Sequence, residues 1–207
     1  MARQVNIDLY CEDEGHEVFV RALILRLARA EGLRVSLRTP SGRGGHGKAI
    51  AEFKIWQRAV ERGLVGGLPD LLVLVIDSNC TEWHSAQREL EKLINTAQFP
   101  RWVVGCPDPH IERWCLADPV GFQQVVGAPP PPDPGKCERD YYKRLLRETA
   151  HEAEVLILTD EMELAPDFVR RMDLYQAGKN QRSLGHFIDA LKKALKGLVA
   201  LATEPIP

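Results

Sequence analysis

The sequence predicts an α/β fold, a mainly parallel sheet flanked by helices, with a helical extension at the C-terminus. Three observations carry this. Strand-like and helix-like periodicities alternate through the first half of the chain. Leu71 to Ile76 is an unbroken apolar run ending at Asp77, the pattern of a strand buried on both faces of a parallel sheet. Two of the expected strands end in carboxylates, where the ligands of open parallel sheets collect.

The chain has 207 residues, 44% hydrophobic and 27% charged, enough for one such domain with a small appendage and far from disordered or collagen-like compositions. A net charge of −2 excludes a global positive field, so any phosphate binding has to be local.

Val5, Ile7, Leu9 and Cys11 alternate with Asn6, Asp8 and Tyr10, which predicts a first strand running into the acidic turn Glu12, Asp13, Glu14. Phe19, Val20, Leu23, Ile24 and Leu27 recur at helical spacing, and Gly32 is a plausible stop. Leu33 to Thr39 reads as a second strand closed by Pro40, and Lys48 to Arg62 as an amphipathic helix. After the apolar run, expected to be the central strand, a helix over Glu82 to Asn95 and a short strand over Trp102 to Cys106 follow.

Three regions are expected: an α/β core over 1–127, a proline-rich connector over 128–137, and a mostly helical 138–207 packing on the core. In that last region Glu138 to Glu152 reads as helical. Leu184, Phe187, Ile188, Leu191, Leu195 and Leu198 form an apolar stripe on a final helix, with Ser183 as its expected cap.

Five cysteines with no C-x-x-C pair do not suggest a disulfide framework. The N-terminus turns acidic too early for a signal peptide, and no apolar run approaches the roughly 18–20 residues that span a bilayer. A soluble cytoplasmic protein with no membrane partner is the expectation.

Glu12 follows the first strand and Asp77 the central one, so both face one crevice if the strands are neighbours. Gathered carboxylates repel one another, and a bound Mg²⁺ or Mn²⁺ is the usual way to hold them together. The plainer reading is that Glu12, Asp13, Glu14 and Glu17 decorate a helix N-terminus, where negative charge is favoured.

Here the residues resemble a family. Cys11-Glu-Asp-Glu-Gly-His-Glu-Val-Phe-Val-Arg-Ala-Leu23 looks like the first motif of Toprim domains of the OLD-nuclease type, and Val73-Leu-Val-Ile-Asp-Ser-Asn-Cys80 resembles the second. Pro107-Asp-Pro-His-Ile-Glu-Arg-Trp-Cys-Leu-Ala-Asp118 is similar to a segment of small Toprim-like proteins. The resemblance covers about residues 5 to 126 and implies a Toprim-like, Rossmann-like sheet. It places Glu12 at the catalytic acid, Asp77 at the first metal-ligand position, and Glu112 as a further acidic candidate. Asn79 stands where the family has its second Asp, Asp13 where a Gly usually follows the Glu, and His16 where another acidic residue is usual, leaving Glu17 as the possible substitute.

The resemblance implies a Mg²⁺- or Mn²⁺-dependent nuclease, a hydrolase of phosphodiester bonds in DNA or RNA, working beside an ABC- or SMC-like ATPase in anti-phage defence. Catalytic roles then fall to Glu12, Asp77 and Glu17, and metal binding to Glu12, Asp77, Asn79 and Glu112. The alternative is a noncatalytic binding or regulatory subunit of an ATPase complex, motivated by Asn79.

Gly42-Arg-Gly-Gly-His-Gly-Lys-Ala49 satisfies the P-loop spacing, so a nucleotide-binding protein is a third reading, although Ala49 replaces the metal-binding hydroxyl. Residues 34–62 carry Arg34, Arg38, Arg43, Lys48, Lys54, Arg58 and Arg62 against Glu52 and Glu61. Such a stretch is usually a solvated face, but beside a glycine loop Arg43, His46 and Lys48 are candidates for nucleic-acid phosphate. Cys80-x-x-x-His84 and Cys106-x-x-x-His110 also admit a zinc site.

Overall fold

The computed structural model describes residues 4–40, 45–133, 135, 137, 138, 140–155, 157 and 160–203. Four strands, β1 (Gln4–Cys11), β2 (Arg34–Arg38), β3 (Leu71–Val75) and β4 (Trp102–Gly105), form one parallel sheet in the order β2-β1-β3-β4. Between them run α1 (Glu14–Ala30), α2 (His46–Glu61) and α3 (Trp83–Glu91). Two short helices, α4 (Glu112–Cys115) and α5 (Pro119–Val126), follow β4. Beyond the connector come α6 (Tyr141–Glu152), a 3₁₀ turn (Glu161–Leu164), α7 (Ala165–Arg171), α8 (Leu174–Asn180) and α9 (Arg182–Thr203).

The period of two along the strands sorts side chains to opposite faces. Ile7, Leu9, Cys11, Val73 and Val75 pack with α1, the helices after β4, and α9. Tyr10, Leu72, Leu74 and Ile76 pack with Phe53 of α2 and Leu90 of α3. Every residue of β3 is buried, as its apolar run requires when both faces are covered. The stripe Leu184, Phe187, Ile188, Leu191, Leu195 and Leu198 of α9 is likewise buried, contributing about 2 kcal/mol per side chain removed from water. Among the described residues, those from Val5 to Val126 and from Tyr142 to Leu198 therefore contribute to one hydrophobic core across the connector.

Several expectations are corrected. The last helix begins at Arg182, so Ser183 is not its cap; the Ser183 Oγ instead accepts a 3.0 Å hydrogen bond from the buried Trp114 Nε1. The helix expected from Glu138 begins at Tyr141, and the one expected over Glu82 to Asn95 spans Trp83–Glu91. Glu82 accepts from the backbone N–H groups of His84 and Ser85, fixing that helix start. A disulfide, which cysteine spacing did not suggest, joins Cys80 to Cys137. Among the described residues no helix is long and apolar enough to cross a membrane.

Candidate acidic metal centre

The register pairing Cys11 with Val75 sets the carboxyl ends of β1 and β3 level, so Glu12 and Asp77 emerge side by side. Glu12 donates its backbone N–H to Val75 O, and its Oε2 accepts from the Asp77 N–H at 3.2 Å. Both carboxylates are buried, Glu12 at 8% and Asp77 at 6% exposure, which is costly for charged groups unless something compensates.

The compensation comes from α1. Asp13 is its N-cap, accepting from the His16 N–H, and the first helical turn carries the His16 ring inward beside Phe19 and Val20 on the buried face. His16 Nδ1 lies 2.7 Å from Asp13 Oδ1 and Nε2 lies 2.8 Å from Asp77 Oδ1. Burial works against a charged ring, but the charge of Asp77 and the bonds to both carboxylates outweigh it and raise the His16 pKa well above its ordinary value. His16 is an imidazolium held between two carboxylates. Burial pulls the other way on Asp77 too, yet His16 and His110 together keep its carboxyl below the usual range. The same contest at Asp13 is won by His16, again downward.

His110, on the loop after β4, places Nδ1 3.1 Å from Asp77 Oδ2, so each Asp77 oxygen faces one imidazole. The His110 Nε2 is buried with no partner among the described residues. Glu12 is raised by burial and by the charge of Asp77, and Glu112 is pushed up to about 7 by burial with Asp77 adding to it.

Glu12, Asp77, Asn79 and Glu112 line one pocket of about 230 Å³ together with Asp13, His110, Asp140, Tyr142 and Lys143. Of the other residues singled out in the sequence, His46 brings Nδ1 to 3.7 Å from Glu12 Oε2 without lining the pocket. Lys48 faces Glu52 at 3.6 Å one turn along α2, and Arg43 lies outside the described residues, with the rest of 41–44. Glu17 does not line the pocket: it is bonded by Arg21, and His16 takes the inward position that Glu17 was expected to supply. One helical step, about 100°, separates the two. Arg38 is held by both oxygens of Asp8 and is not a free phosphate contact.

The zinc pairing does not form among the described residues. Cys80 is bonded to Cys137, His84 stacks on Trp83, and His110 is bound to Asp77. Cys11 and Cys115 are buried thiols whose pKa burial raises, the wrong direction for nucleophiles.

Asp13 caps α1, as the plainer reading of the acidic turn had it; sequence reasoning missed its bond to the His16 ring, the role of His110, and the wall formed by Asp140, Tyr142 and Lys143. The Asp13-x-x-His16 spacing at a helix start was the available signal for the first. The wall comes from beyond the connector and leaves no local signature.

One ligand atom from each of Glu12, His16 and Asp77 lies within 4.8 Å of the others. The donor set fits a hard divalent cation. Carboxylate oxygens of Glu12 and Asp77, with Asn79 and Glu112 on the same pocket, are the oxygen ligands that Mg²⁺ and Mn²⁺ take. An ionised carboxylate has more acceptor sites than the single histidine bond each Asp77 oxygen receives, so capacity remains. Both ring nitrogens of His16 are already taken, which makes it an orienting group for Asp77. Comparisons with protein-family models, curated proteins and solved structures find no match to this chain.

Proposed function

We propose that this protein hydrolyses phosphodiester bonds in nucleic acid with Mg²⁺ or Mn²⁺ held by Glu12 and Asp77. The observation that carries the reading is the pair itself: two buried carboxylates at the carboxyl ends of adjacent parallel strands, facing one polar pocket. The Toprim-like motifs support the same assignment, a Toprim identity for the sheet, and an ATPase partner in anti-phage defence.

Glu12 and Asp77 would hold the divalent ion, whose charge would stabilise a phosphate oxygen and lower the pKa of an attacking water. The protein supplies the remainder. Glu12, its proton affinity raised by burial and Asp77, is the acceptor for a proton from the water. Glu112, pushed up to about 7, is protonated in about half of the molecules at neutral pH and is the donor to the leaving oxygen, which leaves Glu12, Asp77 and Asn79 to hold the ion. His16 and His110 fix the two oxygens of Asp77 in place. Lys143, on the facing wall, is already paired with Asp160 at 2.9 Å and Glu161 at 3.4 Å and is not a free phosphate contact.

The test is cleavage of DNA and RNA by wild type and Asp77→Asn with Mg²⁺, Mn²⁺ or EDTA. Metal-dependent cleavage lost in the variant supports the reading; turnover unchanged in a folded variant overturns it.

A second reading has its own observation. The His16 imidazolium already occupies the electrostatic place of a cation between Asp13 and Asp77, and Asn79 removes a further charge. A noncatalytic subunit of an ATPase complex would look this way. Calorimetry with Mn²⁺ separates the two, since that subunit binds no metal at Glu12 and Asp77.

A further inference from the structure

The last helix carries charge that the chemistry above does not use. Arg182, Lys192, Lys193 and Lys196 stand on α9 against the single carboxylate of Asp189, in a chain whose net charge is −2. Arg182, His186, Asp189, Lys193 and Lys196 follow one another at spacings of three and four, so they share one face of the helix, and that face is exposed. Where α8 meets α9 a groove of about 300 Å³ opens, lined by Tyr175, Lys179, Arg182, His186, Asp189 and Lys192. The two helices touch backbone to backbone at Gly178 and Gly185, which puts no side chain at that point of the contact.

The cations of the groove are not spent on acids. Among the described residues Arg182 and Lys192 enter no ion pair, and Lys179 sets its ammonium 4.4 Å from the centroid of the Tyr175 ring. Tyr175 is still 66% exposed, so the ring keeps a face to offer. Arg182 also opens a helix with no acidic residue in its first turn, where an arriving anion meets the guanidinium and the positive end of the helix together. Cations beside an exposed aromatic ring are what a single strand of nucleic acid uses: its phosphates pair with Lys and Arg, and its bases stack on the ring whatever their sequence. A duplex keeps its bases stacked inside and has no use for Tyr175.

The groove lies at the end of the sheet that holds the acidic pocket. Phe187 packs on Gly105, the last residue of β4, where a Cβ would stand 2.9 Å from the Phe187 ring. Strand β4 lies beside β3, whose carboxyl end leads into Asp77. His186 faces Trp83 with ring centroids 5.6 Å apart, and Trp83 follows the loop that carries Asn79 of the pocket. Gln181, the residue before Arg182, is bonded to Asp133, which also holds Tyr142 of the pocket wall.

We propose that the α8–α9 groove holds a single strand of nucleic acid, its phosphates on Lys179, Arg182 and Lys192 and a base on Tyr175, and so presents polymer to the acidic pocket. The presenting role rests on the phosphodiester reading; the binding does not.

The experiment measures the Kd of fluorescein-labelled oligothymidylate by anisotropy in EDTA, over a range of salt, with a duplex of the same length and poly-glutamate as competitors. It compares wild type, Arg182→Glu combined with Lys192→Glu, Tyr175→Ala and Asp189→Asn, with thermal unfolding as the check on folding, and then reads oligothymidylate cleavage in Mn²⁺. The double reversal should weaken binding about tenfold or more and lower the slope of log Kd against log salt by about 1 for each cation removed. Tyr175→Ala should weaken it about fivefold or more. Asp189→Asn removes the one carboxylate of the groove and should tighten binding about twofold, a gain that misfolding cannot mimic. Equal affinity in wild type and a folded double reversal, or a duplex bound more tightly than the single strand, overturns the proposal. Poly-glutamate that competes as well as oligothymidylate itself assigns the groove to an acidic protein partner and overturns it too. Binding lost in the double reversal, with no cleavage by wild type in Mn²⁺, keeps the strand site and removes the phosphodiester reading.

Discussion

His16 Nε2 lies 2.8 Å from Asp77 Oδ1, joining the first turn of α1 to the end of β3 across 61 residues of sequence. The bond is what makes a buried acidic site stable, because the imidazolium offsets two carboxylates that would otherwise repel each other and Glu12.

Replacing His16 by Ala should therefore destabilise the protein by about 3–5 kcal/mol, the usual cost of leaving buried charges unpaired. The raised pKa of His16 gives a contribution that is complete below its ordinary 6.5 and lost as pH rises through the folded value. Asp77, lowered from 3.8, contributes above that value and loses it as pH falls through the folded one. Urea unfolding across pH should show both limbs in wild type and flattened limbs in the variant, with Mn²⁺ restoring part of the loss.

Glu112 acts in the opposite sense. Its pKa is raised from 4.5 to about 7, so the fold binds an extra proton between those values and stability falls as pH rises through them. The decline should be on the order of 2 kcal/mol after solvent screening and should vanish in Glu112→Gln. Denaturation midpoints at several pH values between the two limits measure it.

Glu12→Gln and Asp77→Asn keep shape while removing charge. Each should reduce metal-dependent cleavage by roughly 10²–10⁴-fold, with Mn²⁺ affinity falling in parallel by calorimetry. A variant with intact metal binding and lost turnover would assign Glu12 to proton transfer alone.

The packing of α8 on α9 depends on two glycines. A Cβ on Gly185 would stand 2.6 Å from the Gly178 carbonyl oxygen, and backbone cannot yield as a side chain does. Gly185→Ala should cost about 1–3 kcal/mol by thermal or urea unfolding, while leaving metal affinity at Glu12 and Asp77 unchanged.

The parallel sheet was legible because its strands are buried on both faces: Leu71 to Ile76 has no polar residue to confuse its reading. Glu12 and Asp77 were legible for the same reason, since a carboxylate ending an apolar strand is conspicuous. His16 was visible only as a departure from an acidic pattern; that it serves as a counter-charge depends on which way one helical step turns it. The disulfide and the wall were hidden because each unites segments far apart in sequence, and cysteine spacing carries no information about distance in space. The helices α7 and α8 are short, with too few turns for periodicity to declare itself.

The pocket draws its carboxylates from the sheet and its facing wall from α6 and the residue before it. That division separates two kinds of evolutionary change. Residues at the strand ends are constrained by the register of the whole sheet, so altering them disturbs the core. Residues on the wall answer instead to the packing of α6, Tyr142 through the core and Asp133, Lys143 through Asp160 and Glu161. Substitution on the wall can therefore reshape the facing side of the pocket while the strand register that sets the carboxylates stays unchanged.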